Sequence, residues 1–196
     1  MKDDHTQQRL IRQAREGDTD AMDQLLQGHF RSAYNLAFRL TGNYDDAQNV
    51  LAEAFLRVYN ALPRFRGDAH FSTWLYRIVM NVFLDERKKQ RLRRHESLEA
   101  MIQLADSQVE RQIEDESPGP METLERGEEA EIVQRAVLTL PESQRLMIAL
   151  YHFQNQTYEE IAAITSLPIG TVKSRLNRAR LALRGKLHEQ RELLGR

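Results

Sequence analysis

Residues 157–187, TYEEIAAITSLPIGTVKSRLNRARLALRGKL, decide the reading of this chain: two helices joined by a tight turn, the second of them basic. Thr157 and Glu160 have the spacing of a capping box, in which hydroxyl and carboxylate each satisfy the other residue's backbone N–H, so the first helix has a defined start. That helix is short, with Ile161, Ala162 and Ile164 as its apolar residues. Leu167-Pro168-Ile169-Gly170 interrupts it, and a proline suits the first turn of the helix that follows. Along the second helix Val172, Leu176, Ala179, Leu183 and Leu187 recur at spacings of four, three, four and four, which is one helical stripe. At about 100° per residue, Ser174, Asn177, Arg178 and Leu181 lie opposite that stripe, with Thr171 and Lys173 flanking them. A helix seated by one face and showing Lys, Ser, Asn and Arg on the other has the chemistry of a major-groove reader. The basic helix alone is equally a solvated surface. Capped helix, turn and basic helix in succession make a helix-turn-helix, which is a defined geometry.

The chain has 196 residues, enough for one medium or two small domains, with 41% hydrophobic and 29% charged residues. It has no cysteine, so disulfides and thiolate metal sites are excluded, and a reducing cytoplasm is the expected location. No apolar run approaches the ~18 residues of a membrane span, and the start MKDDHTQQRL has no signal-peptide core, so no membrane insertion is expected. The histidines, His5, His29, His70, His95, His152 and His188, are scattered without metal-ligand spacing. There is no Gly-rich phosphate loop and no nucleophile motif. The expectation is a protein that is not an enzyme, with no catalytic residue, no metal and no cofactor.

The net charge of −1 hides a segregation. Residues 96–131 hold twelve acids against Arg111 and Arg126, a net −10, so the remainder carries +9. Basic ends flank an acidic middle, and the near-neutral total says nothing against nucleic acid.

The periodicity predicts helices throughout. A short one spans 7–16 and ends near Gly17; Asp20 starts the next. This second helix carries the stripe Met22, Leu25, Leu26, Phe30, Ala33, Tyr34, Ala37 and Leu40, and Gly42-Asn43 ends it. Asp45 and Gln48 have capping-box spacing before a third helix bearing Ala47, Val50, Leu51, Ala54, Phe55, Val58, Tyr59 and Leu62, ended by Pro63. After the loop 64–71, Ser72 is the expected N-cap of a long helix with Trp74, Leu75, Ile78, Val79, Val82 and Phe83 mainly inside, running into the basic segment 87–94. Residues 96–128 lose periodicity, turn acidic and contain Ser117-Pro118-Gly119-Pro120, the marks of a linker, with helix allowed at 97–105. Ile132, Val133, Ala136, Val137 and Leu140 begin a second domain, followed by Pro141 and a helix with Leu146, Ala149, Leu150 and Phe153. The expected fold is all-α: two small helical domains, 1–95 and 129–196, joined by an acidic linker at 96–128, the C-terminal domain a helix-turn-helix.

Three blocks in this order, DDAQNVLAEAFLRVYNALPRF (45–65), FRGDAHFSTWLYRIVMNVFLDERKK (65–89) and LPESQRLMIALYHFQNQTYEEIAAITSLPIGTVKSRLNRARLAL (140–183), resemble the extracytoplasmic-function (group IV) sigma factors of bacterial RNA polymerase. The resemblance covers most of the chain outside the linker and the two tips. It implies that the N-terminal domain binds RNA polymerase core and recognises and opens the promoter −10 element. The C-terminal domain then reads the −35 element as duplex. For the −35 element it points to Lys173, Ser174, Asn177 and Arg178, the residues the helical wheel also turns outward, with Thr171 and Arg175 beside them; Arg175 and Arg180 lie closer to the apolar side, as phosphate contacts or anchors. For the −10 element it points to the second block. Phe65, Phe71, Trp74 and Tyr76 with Arg64, Arg66, Arg77 and the basic run 87–94, Lys88 included, combine aromatic faces for bases with cations for phosphates, as single-strand binding requires. Loop 65–71 is the candidate for capturing a flipped base. Trp74 and Phe71 are equally readable as core. The resemblance gives Asn81 the family's −10-reading role, an amide being able to pair with a base in bidentate fashion; the other reading is a plain helix-surface amide.

The first block is, by the same resemblance, the core-polymerase surface: Asp46, Gln48, Asn49, Glu53, Phe55, Leu56 and Arg57. Here the chain departs from the family pattern, close to Asp-Ala-Glu-Asp-Leu-Val-Gln-Glu, by reading Asp46-Ala47-Gln48-Asn49-Val50-Leu51-Ala52-Glu53. With two acids turned to amides, electrostatic steering to the core should weaken. Residues 96–131 span roughly 100 Å if extended, against ~70 Å between elements two helical turns apart, so the tether is long enough. Its charge suits a nucleic-acid mimic as well as a solvated tether. The resemblance also implies a cognate anti-sigma factor. The rival readings are a dimeric helix-turn-helix regulator, which leaves the first two blocks unexplained, and an RNA-binding antiterminator.

Overall fold

The computed structural model describes the backbone of residues 2–104 and 128–193 and the side chains of 5–93 and 130–188. Every regular element among them is helical: α1 Lys2–Arg15, α2 Thr19–Thr41, α3 Tyr44–Ala61, a 3-10 turn Leu62–Arg64, α4 Phe71–Leu104, α5 Glu128–Leu138, α6 Glu142–Ile148 running into a π-turn Ala149–Phe153, α7 Tyr158–Thr165 and α8 Ile169–Leu193.

The helix ends follow from side chains that satisfy the otherwise orphaned first N–H groups. Asp18, two residues before the expected start, caps α2 by accepting from Ala21 N at 3.0 Å. Gly42 ends α2 with φ 75°, and its N–H reaches Phe38 O at 2.8 Å. Asn43, rather than the Asp45–Gln48 pair, caps α3: its Oδ1 accepts from Asp46 N at 2.9 Å, and the Gln48 amide donates to the Tyr44 hydroxyl. α4 begins one residue before Ser72, with Trp74 N bonded to His70 O at 3.1 Å, so Ser72 lies inside the first turn. α4 then continues past the expected boundary to Leu104, so the first part of the segment read as linker is helix. The rest of that segment, 105–127, lies outside the described residues, as do the side chains of its acids.

Ala21, Met22, Leu25, Leu36, Leu40, Val50, Leu51, Val58, Leu75, Val79 and Val82 form the buried interior of α1–α4. Phe30 and Tyr59, placed on apolar stripes by periodicity, are half exposed. In α5–α8 the buried set is Ala136, Val137, Leu140, Leu146, Ile148, Leu150, Ile161, Ile164, Val172, Leu176 and Ala179. At ~1.5–3 kcal/mol for each large aliphatic side chain removed from water, this stripe seats α8 firmly.

The two halves are in contact. The C-terminal half of α2 and the outer face of α4 pack against α5, α6, the π-turn and α7. Arg145, 6% exposed, donates from Nη1 to Leu40 O and from Nη2 to Leu138 O, both at 2.6 Å, and to Leu140 O at 3.2 Å. Leu40 O and Leu138 O belong to the last turns of α2 and α5, where helix ends carry unpaired acceptors and partial negative charge, and Leu140 O to the turn after α5. Burial lowers the Arg145 pKa, with the charge of Arg87 adding to the effect. Arg39 lies over the Phe153 ring, 4.1 Å from its centroid, and donates to Gln134 Oε1. Gly42 abuts Leu138 so closely that a Cβ would overlap the leucine side chain. Tyr76 donates to Gln154 Oε1 at 2.9 Å, and Glu142 pairs with Arg91 at 2.7 Å and Arg87 at 3.4 Å.

Arg145→Met keeps the aliphatic stem and removes every donor. It should lower unfolding free energy by about 2–4 kcal/mol in urea titrations, because the partner carbonyls are backbone and stay buried; an unchanged midpoint would contradict this. Burial lowers the His29 pKa below 6.5, and burial with the Arg180 charge does the same for His152. The unfolded chain therefore takes up these protons first, and stability should fall as pH drops below the ordinary histidine value. His29→Gln should make the thermal midpoint less sensitive to pH in that window.

Candidate nucleic-acid interface

The helix-turn-helix is built as the spacing requires. Thr157 N donates to Glu160 Oε2 at 2.8 Å and Glu160 N to Thr157 Oγ1 at 3.1 Å, a complete capping box. Ser166 closes α7 in the left-handed conformation, φ 56° and ψ 32°. The Pro168 carbonyl then accepts from Thr171 N at 2.8 Å and Val172 N at 3.0 Å, starting α8. With Val172, Leu176 and Ala179 buried, Lys173, Ser174, Asn177 and Arg178 are exposed on the opposite side, and Thr171 and Arg175 are half-buried along one edge. Ser174 Oγ donates to Thr171 O at 3.0 Å, holding the hydroxyl against its own helix. Arg180 is an anchor: its guanidinium lies over the Tyr151 ring at 4.5 Å and Nε donates to His152 Nε2 at 3.2 Å. The lowered pKa of His152 leaves that nitrogen free to accept.

Loop 65–71 differs from expectation. Phe71 is 1% exposed and Phe65 8%, so neither ring is available for stacking on bases. They are core because the 3-10 turn, closed by Phe65 N on Leu62 O at 2.9 Å, folds Phe65 back onto the start of α4. Phe65 lies 4.8 Å and Phe71 5.7 Å from Trp74, which is half-buried, and His29 covers the other side of Phe71 at 4.9 Å. What the loop presents is Arg66, Gly67, Asp68, Ala69 and His70, with Arg66 paired to Asp68 at 2.8 Å and Gly67 at φ 79°. Trp74, Arg77, Asn81 and Lys88 share one strip of α4 by their spacing. Asn81 and Lys88 are exposed. Arg77 is engaged: it donates to Ala163 O and, at 3.4 Å, to Ser166 Oγ, at the C-terminal end of α7.

On α3, Gln48, Asn49 and Leu56 are exposed, and Asp46, Glu53 and Phe55 partly so. Leu56 is 61% exposed. Arg57 is a tie within the fold: it binds Glu53 and, across to α4, Asp85, both at 2.8 Å, and these bonds raise its pKa, Asp85 first. The aromatic side chains Phe30, Tyr34, Tyr44 and Phe55 touch one another beside this surface.

Sequence reasoning missed Arg145, Glu142 and the tyrosines Tyr151 and Tyr158. Arg145 had a legible signal, a charge four residues before Ala149 on an apolar stripe; the others depend on which faces meet. Among the described residues no three His, Asp or Glu side chains converge as metal ligands, and no helix is long and apolar enough to cross a membrane.

Residues 25–93 match Sigma-70 region 2, and residues 130–183 match Sigma-70, region 4. The chain is 32% identical over 180 residues to the ECF RNA polymerase sigma factor SigW of Bacillus subtilis (strain 168), covering 91% of this chain and 95% of that one. It is 34% identical over 187 residues to the ECF RNA polymerase sigma-E factor of Escherichia coli (strain K12), covering 95% and 97%. Its fold is like that of the sigma factor RpoE solved with the anti-sigma factor NepR from Bartonella quintana (TM-score 0.67, 23% identity, 85% of this chain and 96% of that one). It is also like CnrH, solved with the cytosolic domain of CnrY (TM-score 0.66, 24% identity, 94% and 98%). With both conserved-family regions in order and relatives aligned along nearly the whole length, the chain belongs to the ECF RNA polymerase sigma factors.

Proposed function

We propose that this sigma factor divides promoter recognition between two faces. Lys173, Ser174, Asn177 and Arg178 of α8, edged by Thr171 and Arg175, read the −35 element. Asn81, Lys88, Trp74 and Arg77 of α4, with Arg66 of the adjoining loop, engage the −10 element, and Phe65 and Phe71 support that loop from within. Core polymerase docks on α3 through Asp46, Gln48, Asn49, Glu53, Phe55 and Leu56, while Arg57 holds α3 to α4. The observation that carries the reading is α8 itself, seated by Val172, Leu176 and Ala179 and exposing a polar, cationic face at a helix-turn-helix. The protein supplies specificity and no catalytic group. It works in the cytoplasm, where the polymerase is. A cognate anti-sigma factor is the further partner, in keeping with the like-folded RpoE and CnrH, which were solved with NepR and CnrY.

The two domains divide between α4 and α5, and they separate in use. Promoter elements two helical turns apart lie ~70 Å from each other. Arg77 and Ser166, one from each DNA-facing half, are within hydrogen-bonding distance here. The packed arrangement is therefore that of the free chain.

Purified core polymerase with this chain should make promoter-initiated RNA. Tight binding of the chain alone to a palindromic operator, with no such RNA, would favour a stand-alone regulator. Arg178→Ala should weaken holoenzyme binding by about 1–3 kcal/mol, chiefly on promoters with the preferred upstream bases; an equal loss on every promoter would reduce Arg178 to a phosphate contact. Gln48→Glu with Asn49→Asp should tighten core binding, and no gain would remove the electrostatic account of α3.

A further inference from the structure

One flank of α8 carries Lys173 and Arg180, two helical turns and about 10 Å apart. Both cations end on tyrosine rings supplied by the elements that precede α8. The Lys173 ammonium is 5.6 Å from the centroid of Tyr158, and the Arg180 guanidinium 4.5 Å from that of Tyr151. The two rings stack on each other, 5.4 Å between centroids and 22° between planes. A continuous row, Lys173–Tyr158–Tyr151–Arg180, thus runs from cation to cation along the recognition helix.

Each part of the row is held from outside it. Tyr158 is the first residue of α7, directly after Thr157, so the capping box fixes its backbone. Tyr151 sits in the π-turn, whose extra residue per turn lets Gln154 N bond Ala149 O at 3.1 Å. Arg180 is further pinned by His152. An exposed lysine samples many rotamers, and a ring face with its negative quadrupole narrows that choice. Two contacts two turns apart also resist rotation of α8 about its own axis, which the buried stripe of small and branched side chains alone restrains less.

We propose that Tyr158, backed by Tyr151, is a positioning residue of the upstream-element interface: it aims the Lys173 ammonium and, through Tyr151 and Arg180, sets the roll of α8. The inference rests on the reading that Lys173 meets promoter DNA. Its chemistry demands a ring face at 158 and makes no use of the hydroxyl.

The test uses the full chain. In the free protein, the ε-methylene protons of Lys173 should be shifted upfield by the ring current in the parent and in Tyr158→Phe, and return to ordinary values in Tyr158→Leu. In holoenzyme on a promoter that this polymerase transcribes, Tyr158→Phe should bind within about twofold of the parent, while Tyr158→Leu and Lys173→Met each weaken binding by roughly three- to tenfold. Tyr158→Leu should weaken binding less in the Lys173→Met background than in the parent, the remainder being the part that acts through Tyr151 and Arg180. An unshifted Lys173 in the parent would overturn the proposal. So would a Tyr158→Leu loss that persists undiminished in the Lys173→Met background, or a Tyr158→Phe loss equal to that of Tyr158→Leu. A parental holoenzyme that makes no promoter-specific RNA would instead overturn the functional reading, and with it the role of Lys173, whatever the ring-current result.

Discussion

Arg145 gathers the carbonyl ends of two helices onto one buried guanidinium. Leu40 O comes from α2, Leu138 O from α5 and Leu140 O from the turn that follows. Helix ends that meet inside a protein must have their acceptors satisfied or lose stability for each one left bare. Few side chains other than arginine reach several carbonyls at once. Where these acceptors meet determines where α5 crosses α2, and α5 in turn backs α6 and α8. Gly42 tightens the same junction, since its φ of 75° turns the chain out of α2 and its missing side chain makes room for Leu138.

This junction has a consequence for promoter recognition. The strip of α4 that carries Asn81 and Lys88 also carries Arg77, and Arg77 is spent on the end of α7. Glu142 pairs with both Arg87 and Arg91, two cations of the basic run at 87–94. The exposed face of α8, by contrast, takes no part in the packing. Closing the halves on each other thus covers part of the surface proposed for the −10 element and leaves the proposed −35 face of α8 open. Beside the Leu138 contact, the halves are tied by the polar groups of Arg145, Tyr76, Arg77 and Glu142, and interfaces between domains of one chain commonly have this polar character.

The helix-turn-helix was the most legible part of the sequence. Its capping pair, its turn and its buried stripe are all local, and local spacing determines them. The order of helices was legible for the same reason. Cap identities were less so, because Asp18 and Asn43 each compete with a neighbour of similar chemistry and only the backbone path decides between them. Phe71 read equally as a stacking ring or as core, and Phe65 read as a stacking ring, since the return of the chain through the 3-10 turn is a tertiary fact. That Arg77 is bonded to the end of α7 in the packed chain was not legible, because this partner lies 86 residues away. The same holds for the tyrosine row beside α8, whose members are ordinary helix residues until the π-turn and α7 are placed together. Both regions of the family are recognisable in the residues themselves; how the two halves meet is not.

The most direct measurement is the distance between spin labels at exposed sites on α3 and on the outer face of α8, for example at Ala52 and Leu181, taken in the free chain and again in holoenzyme on promoter DNA. The account predicts a single short distance in the free chain, lengthened by Arg145→Met, and a much longer one on the promoter, on the scale of the ~70 Å between two elements two helical turns apart. A distance that stays the same from the free chain to the promoter complex would contradict it.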